Sequence, residues 1–399
     1  FAYRKLQDTA ADCEDRCDQI EREMRDPKAA ERFALKQSQA FVDQMEGFAL
    51  ELEDELMNFS DVSYKSFVKS ESEIITLFYD KFADIPLLSR MDAVAETFID
   101  EIETLLNRDL PEEERIPLIE KFRKMYETMD FYVLYNRFLK KEGYQMLPRR
   151  PLEKRKLRYE DVYPVLYLKY RLSRQAERSN IKHLVIDEMQ DYSRLQYLMI
   201  RRMFSCKMTI LGDRAQTMAD QQQDVLQFLP GIFGKDLRRI EMRKSYRNTV
   251  EIASYAANLI GVTDLELFER HGMPVLERDV TDLEAALRKA VDTLFPEEKT
   301  YETAAVIVPD EKTAERAYLI LREILAEKDF DCEKRLSWLN RDSSSFKKGL
   351  TVTTFYLAKG LEFDQVFSIF PKDEKREMMM QAQYIAATRA LHELRVYHI

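Results

Sequence analysis

Four cysteines in 399 residues, Cys13, Cys17, Cys206 and Cys332, are too few to staple a chain of this size. Their scarcity excludes a disulfide-framed secreted domain and points to a reducing compartment, the cytosol. Cys13 and Cys17 are one helical turn apart, yet no second Cys/His pair follows at ligand spacing, so no zinc site is expected there. No apolar run approaches the roughly 18–20 residues that cross a bilayer, and nothing at the start resembles a secretory signal. A soluble protein without a membrane role is expected. Glycine is equally sparse: nine in all, none between Gly47 and Gly143, which leaves the first third without obvious turn points. The single tryptophan, Trp338, is assigned to packing. The chain opens on Phe1 rather than methionine and runs straight into a charged helical pattern, so a partial chain is expected.

What is abundant is apolar surface and charge. Hydrophobic residues make up 45% of the chain, enough for two or three domains with real cores. The net charge of −10 is unevenly spread: residues 1–146 carry −13, and residues 147–399 carry +3. The acidic segment also has helical periodicity, with Phe33, Phe41, Phe48, Leu52 and Leu56 recurring near turn spacing, and shows no convincing strand. A helical domain or arm is expected over 1–150.

Between Leu147 and Arg158 two prolines and six basic residues accompany a single acid, Glu153. This stretch reads as a boundary and as a solvated connector, with phosphate contact as its functional alternative. After it, strand and helix alternate. Leu184-Val185-Ile186 and Met208-Thr209-Ile210-Leu211 are apolar strand runs joined by an amphipathic helix over 193–204, a βαβ unit. Helices over 248–259 and 312–325, strands over 304–308, 350–354 and 365–370, and a helix over 383–391 come next. Two successive α/β sheets are expected, one in residues 151–236 and one in 237–399.

The chemistry concentrates at strand ends. Leu184-Val185-Ile186-Asp187-Glu188-Met189-Gln190-Asp191 is an apolar strand ending in adjacent carboxylates, at the edge where open α/β sheets bind ligands. Asp187 suits Mg²⁺, and Glu188 suits a base that orients and deprotonates water. The neighbouring strand ends in Gly212-Asp213-Arg214-Ala215-Gln216, and Gln216 can hydrogen-bond both a terminal phosphate and the attacking water.

These two elements in sequence are similar to the second and third helicase motifs of the UvrD/Rep/PcrA family of superfamily 1. The fourth, an Asn-Tyr-Arg-Ser type element, resembles Lys244-Ser245-Tyr246-Arg247-Asn248. The fifth resembles the run from Thr353 to Phe363, and the sixth the run from Gln383 to Ala390. The resemblance implies an α/β fold of tandem RecA-like P-loop NTPase parallel sheets and an ATP-hydrolysing helicase that uses ATP and Mg²⁺ while moving 3′ to 5′ on single-stranded or forked DNA. Tyr246 would stack on adenine, and Gly360 and Glu362 would touch the nucleotide. Arg247 and Arg389 would neutralise charge on the transferred phosphoryl group. Thr354, Tyr356 and Lys359 would face the nucleic acid.

Departures from the family pattern matter as much. No Gly-x-x-x-x-Gly-Lys-Ser/Thr loop occurs in the 399 residues. An N-terminal truncation is expected, with poor hydrolysis by the polypeptide as it stands. Gln216 is followed by Thr217-Met218-Ala219-Asp220 rather than base-stacking aromatics, and Tyr356 stands where closer relatives carry histidine. The short interval between the fourth and fifth motifs and the generous helical block resemble the helicase IV/HelD branch, some of whose members are RNA polymerase-associated ATPases. A remodelling ATPase acting on RNA polymerase is thus the alternative, and a non-catalytic binding module the third reading.

Overall fold

The structure, a computed structural model, describes residues 2–174, 180–213, 216, 225–242, 244–262, 266–328, 330–343, 348–372 and 377–399. The chain divides into two compact units, one of residues 1–186, 192–210 and 225–234, the other of 187–191, 211–224 and 235–399.

The first unit is mostly helical, and its helix starts are written locally. Ser38 accepts from the Phe41 amide at the head of helix Gln39–Glu55, which buries Phe41, Met45, Phe48 and Leu52 along one stripe. Helix Leu87–Leu106 stops at Asn107, which takes a left-handed φ of 51°. Three short strands are present where none was expected: β1 (Asp12–Cys13), β2 (Val62–Tyr64) and β3 (Phe67–Lys69). Two or three residues are too few to display an alternating pattern.

The expected boundary near residue 150 is not a break. Strand β4 (Lys156–Leu157) pairs in parallel with β1, and helix Tyr159–Leu172 buries Val165, Leu166 and Leu168 in the same core as Phe41 and Phe138. Leu195 and Met199, from helix Arg194–Met203, join that core too. The helical block and the next segment fold together because this central helix is apolar on most of its faces. In the same unit β5 (His183–Ile186) pairs in parallel with β6 (Lys207–Ile210). Helices Arg194–Met203 and Val225–Phe233 cover one side through Ile186, Tyr197, Phe228 and Leu229. Val185, the middle residue of the apolar run, is 61% exposed because it points to the other side.

The second unit is an α/β layer structure. Strands β7 (Lys244–Ser245) and β8 (Glu266–Leu267) form a small parallel pair. The main sheet comprises β9 (Leu276–Asp279), β10 (Thr303–Val308), β11 (Leu336–Trp338), β12 (Gly349–Thr354), β13 (Phe363–Phe370) and β14 (Ala390–His398). Its order is β11-β12-β10-β13-β14-β9, parallel throughout. The run Thr-Ala-Ala-Val-Ile-Val of β10 is apolar because a central parallel strand is covered on both faces. Helices Leu283–Val291 and Glu311–Ala326 share one core with Val306, Val352 and Phe367, while helices Val250–Leu259 and Glu377–Thr388 pack on each other. The last helix was expected to reach residue 391; it ends at Thr388, and Ala390 already begins β14. Parallel sheets with a helical N-terminal block are the fold class the motifs implied.

Candidate functional site

By contact, the strand-end segments 187–191 and 211–224 group with the second unit, so most motif side chains meet inside it. The carboxylate end of β5 is a strained turn. Glu188 takes a left-handed φ of 52°, which costs a side-chain-bearing residue energy and occurs most often where function holds it. Its amide donates to Asp187 Oδ1 at 2.8 Å, the Met189 amide donates to Leu211 O at 2.8 Å, and the Asp191 amide donates to Glu188 O at 2.9 Å.

The buried side chain of Gln190 bridges the two acidic motifs. Its Nε2 donates to Glu188 Oε2 at 2.6 Å, and its Oε1 accepts from the Asp213 amide at 3.1 Å. The turns are close enough that only glycine fits at 212: a Cβ there would lie 2.4 Å from Met189 Cγ and 2.6 Å from the Met189 nitrogen. Gln216 Nε2 donates to Asp213 Oδ2 at 2.9 Å. The segment Thr217-Met218-Ala219-Asp220, where the stacking aromatics are missing, lies outside the described residues, as do Arg214 and Ala215.

Arg389 sits in the short link between helix Glu377–Thr388 and β14 and is 1% exposed. Its Nε donates to Ile385 O at 3.2 Å and its Nη1 to Leu361 O at 3.3 Å, while Nη2 donates to Gln216 Oε1 and to Thr388 Oγ1, both at 3.1 Å. Burial and then the like charge of Arg247 push the guanidinium below its ordinary value, while Glu188, Glu362 and Tyr384 oppose the shift. Two cations, two carboxylates and the amide of Gln216 therefore lie within mutual electrostatic reach. The Tyr384 hydroxyl donates to Asp213 Oδ2 at 3.4 Å, and burial followed by that carboxylate raises its pKa.

Arg247 pairs with Glu362 at 2.7 Å, both side chains about half exposed. Tyr246 is 61% exposed, lies 5.5 Å from the Phe268 ring and is faced by Lys244 Nζ at 5.5 Å, an open aromatic pair. Gly360 turns with a φ of 82° that favours glycine. Lys359 was expected to face a strand. It is instead 7% exposed, 2.6 and 2.7 Å from the Asp191 oxygens and 3.4 Å from Glu188 Oε2. Thr354 and Tyr356, expected beside it, are buried, and Thr354 Oγ1 accepts from the Leu357 amide at 3.4 Å.

The sequence assigned no role to Gln190 or Asn248, though both lie within motifs, and none to Arg270. Asn248 stands where the family element has serine, which is a usable signal; Arg270 belongs to no motif, so nothing marks it. Among the described residues no group of three or more His, Cys, Asp or Glu is arranged to hold a metal, and no helix is long and apolar enough to cross a membrane. Burial, with Asp12 adding to it, pushes the Cys13 thiol up to about 11, so it stays protonated.

Comparison with known proteins adds three observations. Residues 3–218 match the family described as the UvrD/REP helicase N-terminal domain. No curated protein sequence matches the chain. Among solved structures, the C-terminal domain of a possible DNA helicase from Lactobacillus plantarum WCFS1 is similar at 23% identity over 39% of this chain and 88% of its own, with a TM-score of 0.31. An arterivirus nonstructural protein 10 helicase in complex with DNA gives 15% identity, 67% and 51% coverage and a TM-score of 0.29, so the chain spans about half that protein's length. Dbp5 from S. cerevisiae, bound to Gle1 and IP6, gives 13% identity, 72% and 67% coverage and a TM-score of 0.32.

Proposed function

Because the chain belongs to the UvrD/REP helicase family, whose N-terminal domain is matched over residues 3–218, we propose that it is part of a superfamily 1 DNA translocase that couples ATP hydrolysis to 3′-to-5′ movement along a strand. The reading is carried by one observation: Arg389 donates to Gln216 while Glu188, Glu362 and Arg247 act on its charge. In that reading Glu188 orients and deprotonates the attacking water, and Gln216 exchanges its bond to Arg389 for one to the terminal phosphate. Arg247 and Arg389 take up the negative charge that grows on the phosphoryl oxygens. The open face of Tyr246 receives the base, and Glu362 and Gly360 border the nucleotide.

The donor set fits magnesium. Asp187 is an exposed carboxylate beside Glu188, a hard oxygen donor of the kind Mg²⁺ takes in small number alongside water and phosphate. Bound there, Mg²⁺ would neutralise phosphate charge. A phosphate cradle is the missing part, since no such loop lies within the 399 residues. We assign it to further sequence of the same protein, and the exposed Val185 on β5 is surface that such an addition would bury.

The deciding experiment is steady-state ATP hydrolysis by the protein in its naturally encoded length, with and without single-stranded DNA. DNA-stimulated turnover that disappears in Glu188→Gln is the expected result. Turnover that ignores DNA and responds to RNA polymerase supports the second reading, a remodelling ATPase; the observation favouring it is the charge of −13 on residues 1–146, complementary to a basic channel. No turnover under any condition leaves a non-catalytic binding module.

A further inference from the structure

Arg389 lies in a stretch of four consecutive carbonyls, Thr388 to Leu391, each of which receives a hydrogen bond from another segment. Asn248 Nδ2 donates to Thr388 O at 3.2 Å and to Ala390 O at 2.6 Å, the carbonyls on either side of Arg389. The Phe363 amide donates to Arg389 O at 2.9 Å. Arg270 Nη2 donates to Leu391 O at 2.8 Å and also to Arg247 O. The residue that brackets Arg389 is thus the one directly after Arg247, and Arg270 ties the same two segments a second time.

Asn248 has the means to do this. It is 8% exposed, so water does not compete strongly for its amide. The next residue, Thr249, caps helix Val250–Leu259 by accepting from the Ile252 amide, and that helix packs on helix Glu377–Thr388. A side-chain amide carries two hydrogens and can serve two carbonyls at once, whereas the serine found in the family element carries one. There is also a force to resist. Arg247 and Arg389 repel one another, and Arg389 is further disfavoured by burial.

We propose that Asn248 is a positioning residue that locks Arg247 and Arg389 into one two-cation unit, so that both guanidiniums are presented to a triphosphate together. The proposal rests on the reading of these arginines as phosphate-facing. Its structural core, the bracket around Arg389, is testable without nucleotide.

The test compares wild type with Asn248→Ser and Asn248→Ala by hydrogen exchange at the Arg389 side-chain Nε–H and at the Val306 and Val352 amides. Exchange at Arg389 is expected to rise about tenfold in the alanine variant and by less in the serine variant, while the sheet amides hold their rates. An unchanged Arg389 rate overturns the bracket, and so does a parallel rise at Val306 and Val352, which would mark general loosening. Should the alanine variant not fold, the serine variant decides by the same criterion. ATP hydrolysis is followed in parallel: a lower kcat with unchanged KM supports the two-cation unit, and an unchanged kcat overturns it. Hydrolysis is read in the naturally encoded length, where a wild type without any turnover sinks the ATPase reading, and the exchange rates still decide the bracket.

Discussion

At Glu188 the backbone and the chemistry make opposite demands. A left-handed φ of 52° is one that glycine adopts freely and alanine does not. Glu188→Gly is therefore expected to be more stable than Glu188→Ala by about 1 kcal/mol, and neither should support hydrolysis. Equal midpoints in urea unfolding would show that the turn is not strained. The neighbouring turn has the reverse sensitivity. At Gly212 an added methyl would meet the backbone nitrogen of Met189 at 2.6 Å, so Gly212→Ala should cost about 1–3 kcal/mol by displacing the acidic turn; an unaltered unfolding curve would contradict the close approach. A third residue gives a pH signature. Glu251 accepts from the Gly272 amide at 2.8 Å and lies 3.0 Å from His271 Nδ1. The His271 contact, with the backbone bonds, holds its carboxyl down at about 2 against an ordinary 4.5. Its folded pKa being the lower one, its stabilising contribution is complete above the unfolded value and drains away as pH falls toward about 2. Wild type should therefore lose more stability than Glu251→Gln between pH 5 and pH 3, as read from thermal midpoints.

Among the elements, helix Tyr159–Leu172 joins the acidic helices to the strand-and-helix segment after them. Its Glu160 and Asp161 are buried, with Lys36 Nζ at 2.6 Å from Asp161 and 3.5 Å from Glu160, and the Tyr135 hydroxyl donates to Asp161 at 2.8 Å. Lys36→Met removes a cation from two buried carboxylates and should destabilise the unit by about 3 kcal/mol. A change below about 0.5 kcal/mol in denaturant titration would mean that Arg22 and Arg32, which also pair with Glu160, hold the site without Lys36. Elements with strong periodicity were legible in the sequence: the strands over 304–308 and 350–354 and the helix over 312–325 appear within a residue or two of their expected bounds. So was the capped helix after Ser193. The misses have separate causes. Strands β1, β2 and β3 are too short to leave a pattern. Leu-His-Glu-Leu-Arg-Val-Tyr-His in β14 does not alternate residue by residue, and its first residues were absorbed into the preceding helical run. At the site, residue types at strand ends pointed to Asp187, Glu188 and Gln216, and the family resemblance pointed to Arg247 and Arg389. Burial of Thr354 and Tyr356, and the engagement of Lys359 with Asp191, depend on packing between segments far apart in sequence, which no local pattern records.

For the whole molecule, the distribution of charge and the distribution of core disagree about where it can be cut. Charge separates residues 1–146 from the rest, but Phe41 and Phe138 share their core with Val165 and Leu168. A polypeptide of residues 151–399 would leave that apolar helix uncovered, and it is expected to be insoluble or to unfold without a cooperative transition, as seen by circular dichroism on heating. Soluble, cooperative behaviour would show instead that the acidic block is a removable arm. Partner binding by the block is thus better probed by neutralising its exposed acids than by deletion, with salt dependence as the readout.

The order of strands in the large sheet carries a further consequence for synthesis. Among the described residues strand β9 pairs with β14 alone, and β14 comes more than a hundred residues later in the chain. On the ribosome, β9 waits without this neighbour until the segment from Ala390 to His398 has emerged, and the bonds of Asn248 to Ala390 O and of Arg270 to Leu391 O wait with it. The sheet and the hydrogen bonds around Arg389 are therefore expected to close together, once that segment is available.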